Sequence, residues 1–396
     1  MVSDLHCRAT VISQLRGTLT ISPFGAWDTL PMRGYGWGLY LIALDGVRVH
    51  THHQKSLNTM SICKKKEFSM RYILITASLL LACTLNPVSA VELPSLPEDL
   101  SPFMGDPERG AEPRAKHAAT RTYPELDPVI NVNQGNPFTD YGHFRMFKAV
   151  QSRNRSNPLR LDVDIKGSKE RWQTQPWQDG DTLYFSLAAP LEDAPQPEHG
   201  FPLVVLQPGI GGVDKKNAGD QMWITEAHQR LFPSYVVYLH PQGQRTHSYM
   251  TRPDGINNIE PTAMIGHYQE CIVGLAQSLP NVDSKRIYLV GHSMGGSSTW
   301  QLMLRSPELY AAAVPNAGVP PIDVHEAERL KNIPIWMMMG NDDPWSGSIP
   351  YTRTYQNLLQ VGAQKVRYWE IQDIGHSSGT TDIWPVAAWL FAQRRE

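Results

Sequence analysis

Short apolar runs alternate with helical stretches from about residue 180 to the C-terminus. These runs occupy residues 182–188, 203–206, 235–239, 287–290, 311–314, 335–339 and 366–371. Runs of this length that are mostly apolar are typical of strands buried on both faces of a parallel sheet. Between two of the runs, apolar residues recur every three or four positions from Met264 to Leu279, which predicts an amphipathic helix.

Strands that alternate with helices in this way predict an α/β fold with a doubly wound, mostly parallel sheet and helices on both faces. Ligands of such folds bind beyond the carboxyl ends of the strands. We therefore expect the residues that carry chemistry to follow the apolar runs rather than to lie within them.

The segment before this region has a different composition. Residues 91–179 are rich in Pro, Asn, Arg and Asp and show no sustained periodicity. We interpret them as a linker or accessory extension of unassigned role, and residues 180–396 as the main domain.

A basic and then apolar segment indicates export. Lys64, Lys65, Lys66 and Arg71 precede an apolar run over residues 72–83. This order is typical of a signal peptide, and the run is shorter than the roughly 20 residues that a membrane-spanning helix needs. We predict a signal peptide over residues 60–90, with a start at Met60 or Met70, so residues 1–59 are interpreted as upstream sequence that is not native protein.

Two cleavage sites are compatible with that segment. Val88, Ser89 and Ala90 suit cleavage before Val91, whereas residues 80–83 resemble a lipoprotein box that ends at Cys83. The first outcome predicts a secreted or periplasmic protein. In the second, a lipid on Cys83 would attach the protein to a membrane.

Charge and cysteine content exclude several classes of function. The 396 residues carry a formal net charge of -2, and the main domain has no basic run, so we expect no nucleic-acid partner. Cys271 is the one cysteine after the signal peptide, which excludes an intramolecular disulfide and favours a buried apolar role. No His, Cys and Asp cluster has metal-ligand spacing, so we expect no metal and no cofactor.

The strongest motif is Gly291-His292-Ser293-Met294-Gly295, which follows the run at 287–290 and opens a predicted helix. A G-x-S-x-G sequence between a strand and a helix places the serine on a tight turn, where small neighbours avoid collisions. The helix start directs N–H groups and a positive dipole end towards the serine. Ser293 is therefore the candidate nucleophile.

A serine hydroxyl needs a base and an orienting carboxylate, which follow it in the order serine, acid, histidine in this arrangement. His376 follows the last apolar run and is the candidate base. Asp342 and Asp343 follow the run at 335–339, and Asp373 is a third candidate acid. We expect the neighbouring His292 to be a packing residue that points away from Ser293.

Two backbone N–H groups are expected to bind the oxyanion. One belongs to Met294, directly after the nucleophile, and the other to the glycine-rich loop after the run at 203–206. Ile210 in that loop is the candidate donor.

Several stretches resemble a known family. Residues 281–296, residues 309–318 and the pair Pro241-Gln242 are similar to exported α/β-hydrolases described as predicted peptidases or phospholipase/carboxylesterases. These are related to polyhydroxybutyrate depolymerase-like enzymes and to feruloyl and acetylxylan esterases. The resemblance implies the α/β-hydrolase fold and, since the family's acid stands three residues after the glycine that ends its strand, selects Asp343 after Gly340.

The resemblance also implies a reaction. It predicts a serine hydrolase that cleaves carboxylic esters, either short-chain or linked to a polymer, through Ser293, Asp343 and His376. A serine peptidase and a non-catalytic surface or carbohydrate-binding protein are the alternatives. Trp345-Ser346 stands where the family has a Val-Pro pair. Trp345 and Trp384 are each interpreted either as an apolar wall for the substrate or as core aromatics.

Overall fold

A computed structural model describes the main part of the chain. It covers residues 93–95, 99, 104–106, 143–148, 159–161, 164–178 and 180–396, with gaps at 252–256, 322, 346 and 377–381. The predicted signal peptide, Cys83 and the upstream segment lie outside the described residues.

The described residues form a large mixed sheet and a small hairpin. The strands are β1 (His143–Lys148), β2 (Gln173–Pro176), β3 (Leu183–Ala188), β4 (Phe201–Gln207), β5 (Tyr235–Pro241), β6 (His247–Thr251), β7 (Asn257–Pro261), β8 (Val282–His292), β9 (Ala312–Asn316), β10 (Ile335–Gly340) and β11 (Val366–Gln372).

The large sheet has nine of these strands in the order β1-β11-β10-β9-β8-β4-β5-β3-β2. The pairs from β1 to β5 in this order are parallel, and β3 pairs antiparallel with β5 and with β2. β6 and β7 form a separate antiparallel pair. The predicted α/β fold with a mostly parallel sheet is therefore confirmed.

Helices cover the large sheet on both faces. They are α1 (Glu226–Leu231), α2 (Ala263–Ser278), α3 (Met294–Arg305), α4 (Val324–Leu330), α5 (Ser348–Gln360) and α6 (Trp384–Phe391). The predicted helix over residues 264–279 corresponds to α2. It begins where the Thr262 side chain accepts a hydrogen bond from the N–H of Met264, and it ends just before Pro280.

Alternating side chains of the central strands divide the core in two. Leu203 and Val205 of β4 belong to one cluster, which includes residues of α2, α3 and α5. Val204 and Leu206 point to the opposite face and join a second cluster with residues of α6. Because both faces are covered, these strands are apolar at consecutive positions.

The N-terminal boundary of the fold differs from the predicted one. β1 pairs in parallel with β11, and β2 pairs with β3, although both precede residue 180. Leu159 is fully buried in the second core cluster, and its carbonyl accepts a hydrogen bond from the N–H of Trp384. The prediction that the main domain starts at residue 180 is corrected by these contacts, because part of the supposed extension completes the sheet.

Three further observations concern the described residues only. None of their helices is both long enough and apolar enough to cross a membrane. Cys271 is a buried free thiol, and burial raises its pKa. They contain no group of His, Cys, Asp and Glu side chains that could hold a metal ion.

Candidate active site

The candidate nucleophile lies on a sharp turn between β8 and α3. Ser293 has φ 60° and ψ -120°, a conformation in the left-handed half of backbone space that side chains rarely adopt. Its N–H donates to the carbonyl of Asn316 on β9, and its carbonyl accepts from the N–H of Ser297. These bonds hold the strained residue at the carboxyl edge of the sheet.

The glycines of the motif have a steric reason. A Cβ at Gly291 would lie 2.2 Å from the carbonyl oxygen of Gly295, and a Cβ at Gly295 would lie 2.2 Å from the carbonyl oxygen of Gln207. Real Cβ atoms do not approach backbone oxygens so closely. The turn that exposes Ser293 therefore requires glycine at both positions.

A continuous hydrogen-bond chain joins the three predicted side chains. His376 Nε2 lies 2.7 Å from Ser293 Oγ, and His376 Nδ1 lies 2.8 Å from Asp343 Oδ2. The histidine lies in the segment after β11, and the aspartate lies in the segment after β10. An imidazole placed between a hydroxyl and a carboxylate can take the hydroxyl proton while the carboxylate stabilises the imidazolium.

The three candidate acids differ sharply in position. Asp343 is fully buried, and its second oxygen, Oδ1, accepts the N–H of Trp345 at 2.8 Å. Asp342 and Asp373 are exposed. The N–H of Asp342 donates to the carbonyl of Ile374, which ties its backbone to the loop that carries His376. The structure thus brings Asp343, and neither of the other two, to the histidine.

The glycine-rich loop after β4 lies beside the nucleophile. A Cβ at Gly209 would contact the Ser293 Cβ at 3.5 Å, and Ile210 is the first residue of the 3-10 turn Ile210–Gly212. Met294 is the first residue of α3. The first N–H groups of a helical segment have no acceptor within that segment. Both predicted donors are the first residues of such segments next to Ser293, so their N–H groups suit the role of oxyanion donors.

The central part of the chain also matches a protein-family model. Residues 238–365 match the dienelactone hydrolase family, and this match spans β8, the Ser293 turn and the Asp343 loop. The sheet order, the strand-to-helix serine turn and the order serine, acid, histidine agree with this match. The chain has the α/β-hydrolase fold.

Solved structures that are similar to this chain include an esterase and several peptidases. A thermostable esterase is 28% identical, with a TM-score of 0.48, and the alignment covers 57% of this chain and 64% of the esterase. A puromycin-hydrolyzing peptidase of Mycobacterium tuberculosis is 13% identical, with a TM-score of 0.40, over 56% of this chain and 38% of the peptidase.

An acylaminoacyl peptidase of Pyrococcus horikoshii is also 13% identical, with a TM-score of 0.41, over 55% of this chain and 39% of the peptidase. The chain described here thus spans less than two thirds of the length of each of these proteins. A search of curated proteins finds no match to the chain.

His292 packs against the candidate base. Its ring centroid is 4.9 Å from that of His376, with 46° between the ring planes, so the imidazole of His376 is a packing partner. A Cβ at Gly209 would lie 3.8 Å from His292 Nδ1. Burial, together with the neighbouring His376, lowers the pKa of His292 to about 4, although Asp343 acts in the opposite direction. The ring is neutral at neutral pH.

Asn341 is a site residue that the sequence analysis did not identify. It is fully buried after β10, and its Oδ1 accepts the N–H of Asp373 at 2.9 Å. Its own N–H donates to the carbonyl of Ile371. Asn341 therefore ties the loop that carries Asp343 to the loop that carries His376. An amide directly after a predicted strand was the available signal.

The two tryptophans predicted near the substrate lie in different environments. Trp345 is 68% exposed, two residues after the buried Asp343. Trp384 is only 6% exposed at the start of α6. Trp345 is therefore accessible to a substrate, whereas Trp384 presents little surface and fits the interpretation as a core aromatic.

Proposed function

We propose that the protein is an exported serine hydrolase that cleaves carboxylic esters through an acyl-enzyme intermediate. The observation that carries this proposal is the unbroken hydrogen-bond chain from Asp343 through His376 to Ser293. The family match and the fold support a hydrolase in general terms. The choice of serine chemistry rests on the three side chains themselves.

The reaction follows from the positions of these groups. Ser293 Oγ attacks the ester carbonyl carbon while His376 Nε2 takes the hydroxyl proton. The N–H groups of Met294 and Ile210 bind the oxyanion of the tetrahedral intermediate. His376 then gives its proton to the departing alkoxide, which leaves as an alcohol and forms the acyl-enzyme. Water, deprotonated by the same imidazole, releases the carboxylic acid.

An ester is favoured over a peptide as the substrate. The matched family is named after dienelactone, and a lactone is a cyclic ester. His376 is 24% exposed at its side chain, so the reacting groups are open to solvent and can meet small or polymer-linked esters. A serine peptidase uses the same three residues, and the assay below distinguishes the two reactions.

A non-catalytic carbohydrate-binding role has less support. This alternative was suggested by the unassigned segment before residue 180. Parts of that segment instead complete the sheet as β1 and β2. Binding a carbohydrate does not require a buried Asp343 that is hydrogen-bonded to His376.

Export rests on the basic and apolar segment over residues 64–83. We expect a secreted or periplasmic protein, or one attached to a membrane by a lipid on Cys83. Mass spectrometry of the mature N-terminus distinguishes the two: cleavage before Val91 gives an unmodified start, and lipoprotein processing gives an acylated Cys83.

The test of the activity is hydrolysis of p-nitrophenyl acetate, butyrate and octanoate by the purified protein, beside a peptide anilide. We expect ester turnover that Ser293→Ala abolishes, with Ser293 labelled by a fluorophosphonate probe. Cleavage of the anilide without ester turnover would indicate that the protein is a peptidase and not an esterase. Failure of the probe to label Ser293 in folded protein would indicate a non-catalytic protein.

A further inference from the structure

Three exposed side chains with large apolar parts lie in segments that adjoin the candidate active site. Among the described residues, Ile210, Tyr249 and Trp345 are 49%, 58% and 68% exposed. They come from three separate segments, the loop after β4, the strand β6 and the loop after β10. Water-exposed apolar side chains that gather at a reactive centre are typical of a binding surface.

The β6–β7 hairpin places Tyr249 on its inner face. Side chains alternate along a strand, so His247 and Tyr249 share one face of β6, and Ile259, paired opposite Tyr249 on β7, lies on that face too. His247 and Ile259 are 3% and 7% exposed, so this face packs on the body of the protein. Tyr249 remains open on the same face.

The base of the hairpin is fixed to the helix that follows the nucleophile. Ser298 Oγ on α3 lies 2.8 Å from Thr246 Oγ1 and donates to it, and Ser298 Oγ is also 2.8 Å from the carbonyl oxygen of Met294. The rings of His247 and Tyr249 are in edge contact at 5.0 Å. Tyr249 is thus held at a defined position relative to the Ser293 turn.

Tyr249 and Trp345 both lie near the Asp343 carboxylate. Partial burial raises the pKa of the Tyr249 hydroxyl, Arg245 lowers it and the Asp343 carboxylate raises it, so Tyr249 lies within electrostatic reach of Asp343. The N–H of Trp345 donates to that same carboxylate. Ile210 follows Gly209, whose backbone lies against Ser293.

We propose that Tyr249 and Trp345, with Ile210, bind an aromatic ring of the ester substrate, and that Tyr249 is the specificity residue contributed by the hairpin. This inference rests on the proposed ester hydrolysis. Aromatic rings prefer stacked or edge contacts with other rings over contacts with saturated groups of the same size. The ring could belong to the acyl part or to the alcohol part, and the test separates the two.

The test compares matched aryl and cyclohexyl esters. Methyl cinnamate and methyl 3-cyclohexylpropanoate carry the ring in the acyl part, and benzyl acetate and cyclohexylmethyl acetate carry it in the alcohol part. We expect the unmodified protein to prefer one aryl ester over its cyclohexyl partner in kcat/KM. Tyr249→Leu and Trp345→Leu should each reduce that preference by roughly fivefold to tenfold, while Tyr249→Phe should keep it.

Met250→Leu is the matched control, because Met250 is 49% exposed on the same strand but on the opposite face. It should keep the preference. An equal effect of Met250→Leu and Tyr249→Leu, or no aryl preference in either pair of esters, would overturn the inference.

A second measurement separates this inference from the proposed activity. Binding of the four esters to Ser293→Ala, measured by calorimetry, does not depend on turnover. Tighter binding of an aryl ester that Tyr249→Leu weakens would support the ring site even if no ester is cleaved. Equal binding of aryl and cyclohexyl esters, beside normal hydrolysis of p-nitrophenyl acetate, would refute the ring site and leave the hydrolase intact.

Discussion

Asp342 and Asp343 are neighbours in the chain but have opposite environments. Asp343 is fully buried and bonded to His376, whereas Asp342 is exposed. We expect Asp343→Asn to lower kcat by about 10⁴-fold, because an amide no longer stabilises the imidazolium and favours the wrong tautomer. Asp342→Asn should leave kcat near that of the unmodified protein. Steady-state kinetics with p-nitrophenyl butyrate measures both, and similar losses in the two variants would contradict the assignment.

His292 braces the candidate base through its ring. Its removal in His292→Ala would leave a space beside His376 and Gly209, and a displacement of about 1 Å in a catalytic group can cost on the order of 100-fold in rate. We expect a loss in kcat with little change in KM. His292→Phe should restore most of kcat, since a neutral ring of similar shape fills the space.

Both variants are compared in kcat, KM and thermal unfolding. If His292→Phe is as inactive as His292→Ala, the imidazole nitrogens rather than the ring shape are required, and the bracing role is wrong.

The contact between His292 and His376 could not be predicted from the sequence, because a motif gives the spacing of residues and not the direction of a side chain. Ser293 and His376 could be proposed because each follows a predicted strand, whereas Asp343 was selected over Asp342 only by the resemblance to the family's spacing.

At the scale of elements, two loops must stay in register to keep the acid against the base. Asn341 joins them, since its Oδ1 accepts the N–H of Asp373. Asn341→Ala removes this part-buried hydrogen bond, and a typical hydrogen bond contributes about 0.5–1.5 kcal/mol to stability. We expect a lower free energy of unfolding in urea and a lower kcat. Asp342→Ala, on the same loop but exposed, is the control and should change the free energy of unfolding little.

Apolar strands were predictable and polar ones were not. The runs at 203–206 and 335–339 correspond to β4 and β10, because strands buried on both faces are apolar at most positions. β6 and β7 read His-Ser-Tyr-Met-Thr and Asn-Asn-Ile-Glu-Pro, which show no such run. The two strands β6 and β7 are stabilised by their hydrogen bonds to each other and by contacts with α3. The sequence therefore contains no local signal for the hairpin.

For the whole molecule, the segment before residue 180 decides whether the sheet is complete. A chain that starts at residue 180 loses β1, β2 and Leu159, and it exposes the edges of β11 and β3. Unpaired edges promote aggregation, and loss of a buried leucine costs about 2–5 kcal/mol. We expect this chain to be aggregated or much less stable than one that starts at Val91.

A chain that starts at residue 158 is the control. It keeps Leu159 and β2 and loses β1, so its urea midpoint should lie between those of the other two chains. Equal stability of the chains that start at 91 and at 180 would show that the early strands are dispensable.

Three buried histidines and the partly buried His292 make the stability of the fold sensitive to acid. Burial lowers the pKa of His228 to about 3 and the pKa values of His240, His247 and His292 to about 4, from an ordinary value of 6.5. Between about pH 6.5 and 4, the unfolded chain therefore binds protons that the folded protein does not. Stability rises with pH where the unfolded state binds more protons, so it must fall as the pH drops through this window.

His228 allows this effect to be isolated, because its ring packs between Trp223 and Phe232, at 5.0 Å and 5.1 Å, and takes no part in the active site. His228→Phe keeps an aromatic ring there and removes one proton from the difference between the two states. Each such proton contributes about 1.4 kcal/mol per pH unit to the slope. We expect the slope of unfolding free energy against pH, measured in urea at pH 5.0, 5.5 and 6.0, to decrease by about this amount. His325→Gln, at an exposed position on α4, should leave the slope unchanged. An unchanged slope in His228→Phe would mean that His228 is protonated in the folded protein or is not buried there.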